Sequence, residues 1–243
     1  MALLEIDMGN TRSKWRLREG QQVLARGVLA SEVFPAGLEV AGRIPDRILL
    51  ASVCEEKQTQ VAIDALFRHW GREVERARVL AVCAGVHCAY REPARLGVDR
   101  WLAVLAAHHG RCAGESGSVV VSCGTALTID FVRGDGQHEG GYILPGLLMS
   151  QQALLRGTGK VRFEPAIPSQ WTPGDSTAAA VQNGSLYQAL SVIERARADA
   201  RQRWHGQAAL WLTGGDAPLL QQALQQPLTW VEDLVMDGLH YAL

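Results

Sequence analysis

Short apolar runs that end in an acid or a glycine alternate along the chain with stretches of helical spacing, the pattern of a mixed α/β protein. The opening run Ala2-Leu3-Leu4-Glu5-Ile6-Asp7 predicts a strand that stops at Gly9-Asn10. Residues 12–18 and 22–29 predict two further strands around a hairpin turn at Glu19-Gly20. The run from Arg47 to Val53 predicts a buried strand. A helix is expected next, with Val61, Ala65, Leu66 and Trp70 on one face. Val79 to Val82 predicts another strand, and Asp99 to His109 resumes helical spacing.

Residues 111–118 are small and polar and read as a linker, after which the pattern restarts. Val119 to Cys123 predicts a strand, Gly124-Thr125 a turn, and Ala126 to Val132 and Gly140 to Leu144 two more strands. Pro145-Gly146 opens a helix, and Asp175-Ser176-Thr177 caps a long one that runs to about Trp204. Ala208 to Leu212 predicts a last strand, and Thr213-Gly214-Gly215-Asp216 leads into a further helix. The halves share one plan, which predicts a duplicated α/β domain with ligands expected in a cleft between them.

Composition narrows the function. A net charge of −1 provides no field to attract nucleic acid or an anionic membrane. The five cysteines are odd in number and include no CxxC pair, so neither a disulfide framework nor a zinc knuckle is expected. The acids at positions 5 and 7 interrupt any signal-peptide core, and no apolar stretch is long enough to span a membrane. These features predict a soluble, cytoplasmic protein. His87, His108 and His109 match no familiar metal-ligand spacing, and the seven tryptophans read as core or interface residues.

Four segments carry candidate chemistry. In the first, Asp7-Met8-Gly9-Asn10-Thr11, a carboxylate at a strand end can hold Mg²⁺ through water, and glycine lets the backbone approach a phosphate. Lys14 can add a point charge; a plain hairpin turn is the competing reading. The second, Ser122-Cys123-Gly124-Thr125-Ala126, occupies the matching place in the other half, with Thr125 as hydroxyl donor or with a bulge glycine as the bland alternative. The third, Gly214-Gly215, could let a flat base lie against the backbone, or could simply turn a strand into a helix. The fourth, Gly97-Val98-Asp99-Arg100, offers a general base in Asp99 and a carboxylate clamp in Arg100, with Tyr90 close upstream. Asp99 could equally be a helix cap.

Taken in order, D-x-G-N-T at Asp7–Thr11, G-V-D-R at Gly97–Arg100, G-T-A at Gly124–Ala126, G-G-Y-I-x-P-G at Gly140–Gly146 and T-G-G-D at Thr213–Asp216 resemble the type III pantothenate kinases of the acetate and sugar kinase/actin superfamily. The resemblance implies two ribonuclease H-like, actin-like domains, here residues 1–112 and 113–243, whose mixed sheets face a central cleft. It implies transfer of the ATP γ-phosphate to pantothenate, the first step toward coenzyme A. Carried over, Asp7, Met8, Gly9, Asn10, Thr11, Arg12, Ser13 and Lys14 form the first phosphate loop, Thr125 belongs to the second, and Gly214 and Gly215 contact the adenosine. Asp99 accepts the proton, and Tyr90, Gly97, Val98, Arg100 and Thr177 contact pantothenate. ATP, Mg²⁺ at Asp7, a potassium or ammonium ion and a homodimer are implied as well. Ser122 stands where the family usually has an aspartate that helps hold the monovalent ion, so that ion is expected to be held differently or to matter less. Two other readings remain: a kinase of the superfamily acting on another hydroxylated metabolite, and a non-catalytic nucleotide-binding regulator of transcription.

Overall fold

Two five-stranded mixed sheets built on one plan organise the chain, as a computed structural model describes it for residues 1–36, 38, 40, 42–224 and 226–243. The chain divides into two compact units: Met1–Ala106 with Leu234–Leu243, and Ala107–Asp233.

In the first unit the strands are β1 (Ala2–Met8), β2 (Arg12–Glu19), β3 (Gln22–Ala30), β4 (Arg47–Ser52) and β5 (Val74–Arg76). Their order is β3-β2-β1-β4-β5; the two hairpin pairings are antiparallel, and β1-β4 and β4-β5 are parallel. Period-two alternation puts Leu4, Ile6, Met8 and Leu17 on the core face with Ile48 and Leu50. Helix α1 (Glu56–Trp70) covers that face. A short hairpin, β6 (Val82–Cys83) with β7 (Val86–His87), precedes α2 (Val98–Gly110).

The other face of this sheet carries a charge cluster beside the apolar, buried Leu3 and Leu49. Glu5, fully buried, pairs with Arg16 and with Arg18 at 3.0 Å, and Arg16 reaches Asp237 at 2.8 Å. Asp237 lies on α6 (Leu234–Ala242), so the returning segment is fastened to the first hairpin by an ion pair between a buried arginine and a more exposed aspartate. Glu5 and Asp237 hold the Arg16 guanidinium in its charged form against the opposing pull of burial.

The second unit repeats the order. Its strands are β8 (Glu115–Cys123), β9 (Ala126–Arg133), β10 (His138–Pro145), β11 (Gln207–Thr213) and β12 (Thr229–Trp230), arranged β10-β9-β8-β11-β12. Again two antiparallel hairpin pairings are followed by two parallel ones. Helices α3 (Leu147–Gly157), α4 (Thr177–Trp204) and α5 (Ala217–Ala223) complete it, with Leu186, Leu190 and Ile193 of α4 against Val119, Val121 and Leu210 of the sheet. Ser176 caps α4 by accepting from the Ala179 N–H at 3.2 Å, a contribution of about 1 kcal/mol. No helix of the described residues is long and apolar enough to cross a membrane.

Three local expectations need correction. Val79 to Val82 is not a strand of the main sheet. That place is taken by Val74–Arg76, where Glu75 accepts two bonds from Arg47 at 2.7 and 2.6 Å. The inner face of α1 is Thr59, Ala62 and Leu66, whereas Val61 is 58% exposed. Thr59 is buried because its hydroxyl pairs with Ser52 Oγ at 2.7 Å. The linker expected at 111–118 is already strand from Glu115, and Ser118 is fully buried.

Candidate active site

The first candidate loop is the turn between β1 and β2. Asp7 faces Lys14 across the hairpin and Ala51 across the parallel pair, with both side chains half-buried. Asn10, Thr11 and Arg12 are exposed, while Met8 and Ser13 are fully buried. The turn closes with the Gly9 N–H donating to Arg12 O at 3.2 Å.

Two residues outside the candidate segment, Ser31 and Cys54, hold this loop. Ser31 donates its hydroxyl to Gly9 O at 2.6 Å and its N–H to Thr11 O at 3.2 Å. The Cys54 thiol also reaches Gly9 O, at 3.2 Å. Ser13 Oγ lies 3.0 Å from Ser31 Oγ, so its side chain braces the loop from within. Burial, assisted by the nearby Asp7 carboxylate, pushes the Cys54 thiol pKa up and keeps the proton on sulfur.

A second cluster forms at the start of α2. The Asp99 carboxylate accepts from the Arg100 N–H at 2.8 Å, and Arg100 donates to the Tyr90 hydroxyl at 3.1 Å. Arg100 is only 6% exposed, and its guanidinium carbon lies 6.0 Å from the Tyr90 ring centre. A Cβ at Gly97 would come within 2.6 Å of Asp99 Oδ1, so any side chain there would displace that carboxylate. Val98 is buried beside it. Sequence reasoning paired Tyr90, Asp99 and Arg100, and the fold brings them together.

In the second unit three motifs converge. The turn after β8 is closed by the Gly124 N–H donating to Ala126 O at 3.1 Å. Gly146 donates to Thr125 O at 3.0 Å, and Asp216 donates to Cys123 O at 3.1 Å. A Cβ at Gly146 would fall on the Gly124 carbonyl, and one at Gly214, whose φ is +96°, on the Cys123 carbonyl. The backbones of the turn, of the β10–α3 junction and of the Gly214-Gly215 segment therefore touch directly. They enclose a cavity of about 10 Å³ beside Asp216 and Leu220, room for roughly one water. Thr125 and Gly215 are exposed. Thr177 is the exposed first residue of α4.

The groups implied by the resemblance fit unequally. A half-buried carboxylate at a strand end, as Asp7 is, suits a hydrated Mg²⁺. Ser122 has Thr128 and Thr213 as its cross-strand neighbours, and the Thr213 hydroxyl donates to Glu232 O at 3.3 Å. This row of neutral hydroxyls carries no carboxylate, so it lacks the negative charge that the family's usual aspartate would bring to a monovalent cation.

A duplicated β3-β2-β1-β4-β5 plan with a glycine turn after the first strand of each sheet defines the sugar kinase and actin class of α/β proteins. The fold is similar to that of a protein described as a Baf family transcriptional activator from Campylobacter jejuni (TM-score 0.64, 17% identity, covering 98% of this chain and 95% of that one). It is also similar to a 2-dehydro-3-deoxygalactonokinase protein from Sinorhizobium meliloti (TM-score 0.60, 17% identity, 99% and 97%) and to an archaeal actin homolog (TM-score 0.55, 13% identity, 98% of each). Within that class the sequence is more specific. The profile of the type III pantothenate kinases matches residues 3–199. Type III pantothenate kinases of Chromohalobacter salexigens and Ectopseudomonas mendocina are each 36% identical to this chain, over 98% and 99% of it and 85% and 98% of their own lengths. The chain belongs to the type III pantothenate kinase family.

Proposed function

We propose that this protein transfers the γ-phosphoryl group of ATP to the primary hydroxyl of pantothenate, giving 4′-phosphopantothenate and ADP at the entry to coenzyme A synthesis. The observation that carries the reading is the Asp99, Arg100 and Tyr90 cluster, which supplies a base and a carboxylate clamp on adjacent residues. The pantothenate oxygen bonds to the γ-phosphorus, the bond to the β,γ-bridging oxygen breaks, ADP leaves, and the hydroxyl proton passes to Asp99. Arg100, positioned by the Tyr90 hydroxyl, binds the substrate carboxylate as a planar fork. Gly97 and Val98 shape that pocket, and Thr177 contributes a hydroxyl.

On the nucleotide side, residues 7–14 and Thr125 take the phosphates, and Gly214 and Gly215 take the adenosine. Asp7 would hold Mg²⁺ through water; that ion neutralises phosphate charge when bound. Phosphoryl transfer asks the protein mainly for positioning and charge neutralisation, which these residues are suited to provide. The cation expected from the family is not assigned to Ser122, and turnover is proposed to depend weakly on potassium or ammonium. We place the enzyme in the cytoplasm, with one nucleotide loop in each of two actin-like domains, and as a homodimer. The exposed apolar side chains Tyr142, Ile143, Leu148, Met149 and Tyr187 on β10, α3 and α4 are available to such an interface.

Coupled assay of ADP release tests the reaction. Asp99→Asn should lower turnover by about a thousandfold while leaving ATP affinity within about twofold. An equally active Asp99→Asn enzyme would remove Asp99 from the mechanism. Activity on a sugar but none on pantothenate would favour the other kinase reading, for which the likeness to the galactonokinase protein is the specific observation. Sedimentation would test the dimer, and assays in potassium, ammonium or neither would test the cation.

A further inference from the structure

Four carbonyls of the first loop are bonded to protein groups. Met8 O accepts from the Val53 N–H at 3.1 Å, Thr11 O from Ser31, and Arg12 O from Gly9. Gly9 O is the most heavily engaged, with the Ser31 hydroxyl at 2.6 Å and the Cys54 thiol at 3.2 Å. The donors have a defined polarity. Ser31 has one hydroxyl proton and gives it to Gly9 O, so the Ser13 hydroxyl must donate to Ser31 Oγ. Cys54 is in turn set by its own N–H, which donates to Ser52 Oγ at 3.3 Å.

A trans peptide is planar, with its C=O and N–H pointing in opposite directions. Fixing the Gly9 carbonyl toward the core therefore fixes the Asn10 N–H away from it, toward the open side of the turn. Asn10 is exposed, and among the described residues its N–H donates to no protein group. Without the two latches the Gly9–Asn10 peptide unit could rotate about its flanking bonds, and glycine offers little resistance to that rotation.

We infer that Ser31 and Cys54 are positioning residues for the nucleotide: together they clamp Gly9 O and so aim the Asn10 N–H at a phosphate oxygen of ATP. Neither touches the nucleotide. Both lie far from the loop in sequence, 22 and 45 residues from Gly9. The inference rests on the kinase reading above.

The test is a kinetic and binding comparison of Ser31→Ala, Cys54→Ala, Cys54→Ser and the double Ser31→Ala/Cys54→Ala variant. For Ser31→Ala the KM for ATP should rise about tenfold, with the KM for pantothenate within about twofold. Cys54→Ala should show a smaller rise, reflecting the weaker S–H donor, and Cys54→Ser should restore the wild-type value because a hydroxyl replaces the thiol. The double variant should exceed either single. Equal rises in both KM values, or an unchanged KM for ATP in Ser31→Ala and Cys54→Ala alike, would overturn the clamp. Should Ser31→Ala fail to fold, the Cys54→Ala and Cys54→Ser pair decides alone: no difference between them overturns the clamp. ATP affinity by titration separates this inference from the reaction itself. Wild-type protein that binds ATP but does not phosphorylate pantothenate would sink the substrate reading and leave the clamp to be judged on affinity, whereas wild-type protein that binds no ATP would overturn both.

Discussion

The two candidate phosphate turns occupy the same place in two sheets of identical order, yet they are held in opposite ways. The turn after β1 is latched by side chains: Ser13, Ser31 and Cys54 reach in, and Asp7 and Lys14 flank it with charge. The turn after β8 is held by backbone against backbone, with Gly146 and Gly214 permitting the approach. Each has a cysteine beside it, but Cys54 donates to its loop, whereas Cys123 is strand core and lends only its main-chain carbonyl. The first turn can be tuned by substitutions that preserve the fold. The second admits no added atom at Gly146 or Gly214, although Gly124 and Gly215 have open space beside them.

The largest expected effect is therefore in the second unit. Gly214→Ala forces a side chain onto φ +96° and onto a carbonyl, so turnover should fall by at least about a hundredfold and Tm should drop by several degrees or more. A near-normal enzyme would mean that the turn can move. Next, Asp7→Asn should reduce kcat by about a hundredfold with Tm little changed, and Thr125→Ala by about tenfold. Similar losses from the two would erase the distinction between a charged and a neutral turn.

The smallest effect is in thiol chemistry. Burial raises the pKa of both Cys54 and Cys123, with Asp7 and Asp216 respectively adding to it. Exposed Cys112 should label first at neutral pH, and ATP should slow Cys54 further while leaving Cys123 as it was. Because these thiols stay protonated longer in the folded protein than in the unfolded chain, stability is full below the ordinary thiol pKa of 9.0 and falls as pH rises past it. Stability that rises with pH in that range would contradict the burial.

Much of this arrangement is visible in the residues alone. Hairpins and the α4 cap follow from alternation, turn glycines and a short polar side chain, all local signals. The restart of the pattern near residue 119 announces the second sheet, because both sheets need the same sequence of periods. The misreadings share one cause, stabilisation that hydrophobic spacing does not encode. Thr59 is buried by a hydrogen bond to Ser52, and β5, too short to show a period, carries the Arg47–Glu75 bridge beside the packing of Val74. Glu115 to Ser118 is built of residues too small and polar to resemble a strand. The latch on Gly9 was illegible for a related reason: a serine and a cysteine carry no mark of the distant carbonyl they will meet. At the α2 start the reverse holds, since Asp99 and Arg100 are adjacent and Tyr90 is ten residues away.

The fastening of α6 to the first hairpin bears on the order in which the protein matures. The second unit is one uninterrupted segment, residues 107–233, and every strand of its sheet precedes α6 in the chain. The first unit is interrupted, and until residues 234–243 emerge the Arg16 guanidinium lacks Asp237. The inserted unit can therefore reach a settled state without α6, whereas the N-terminal sheet stays partly closed until that helix docks. Comparing the full chain with one truncated before residue 234 would show it, with protection from protease kept in the second unit and lost in the first.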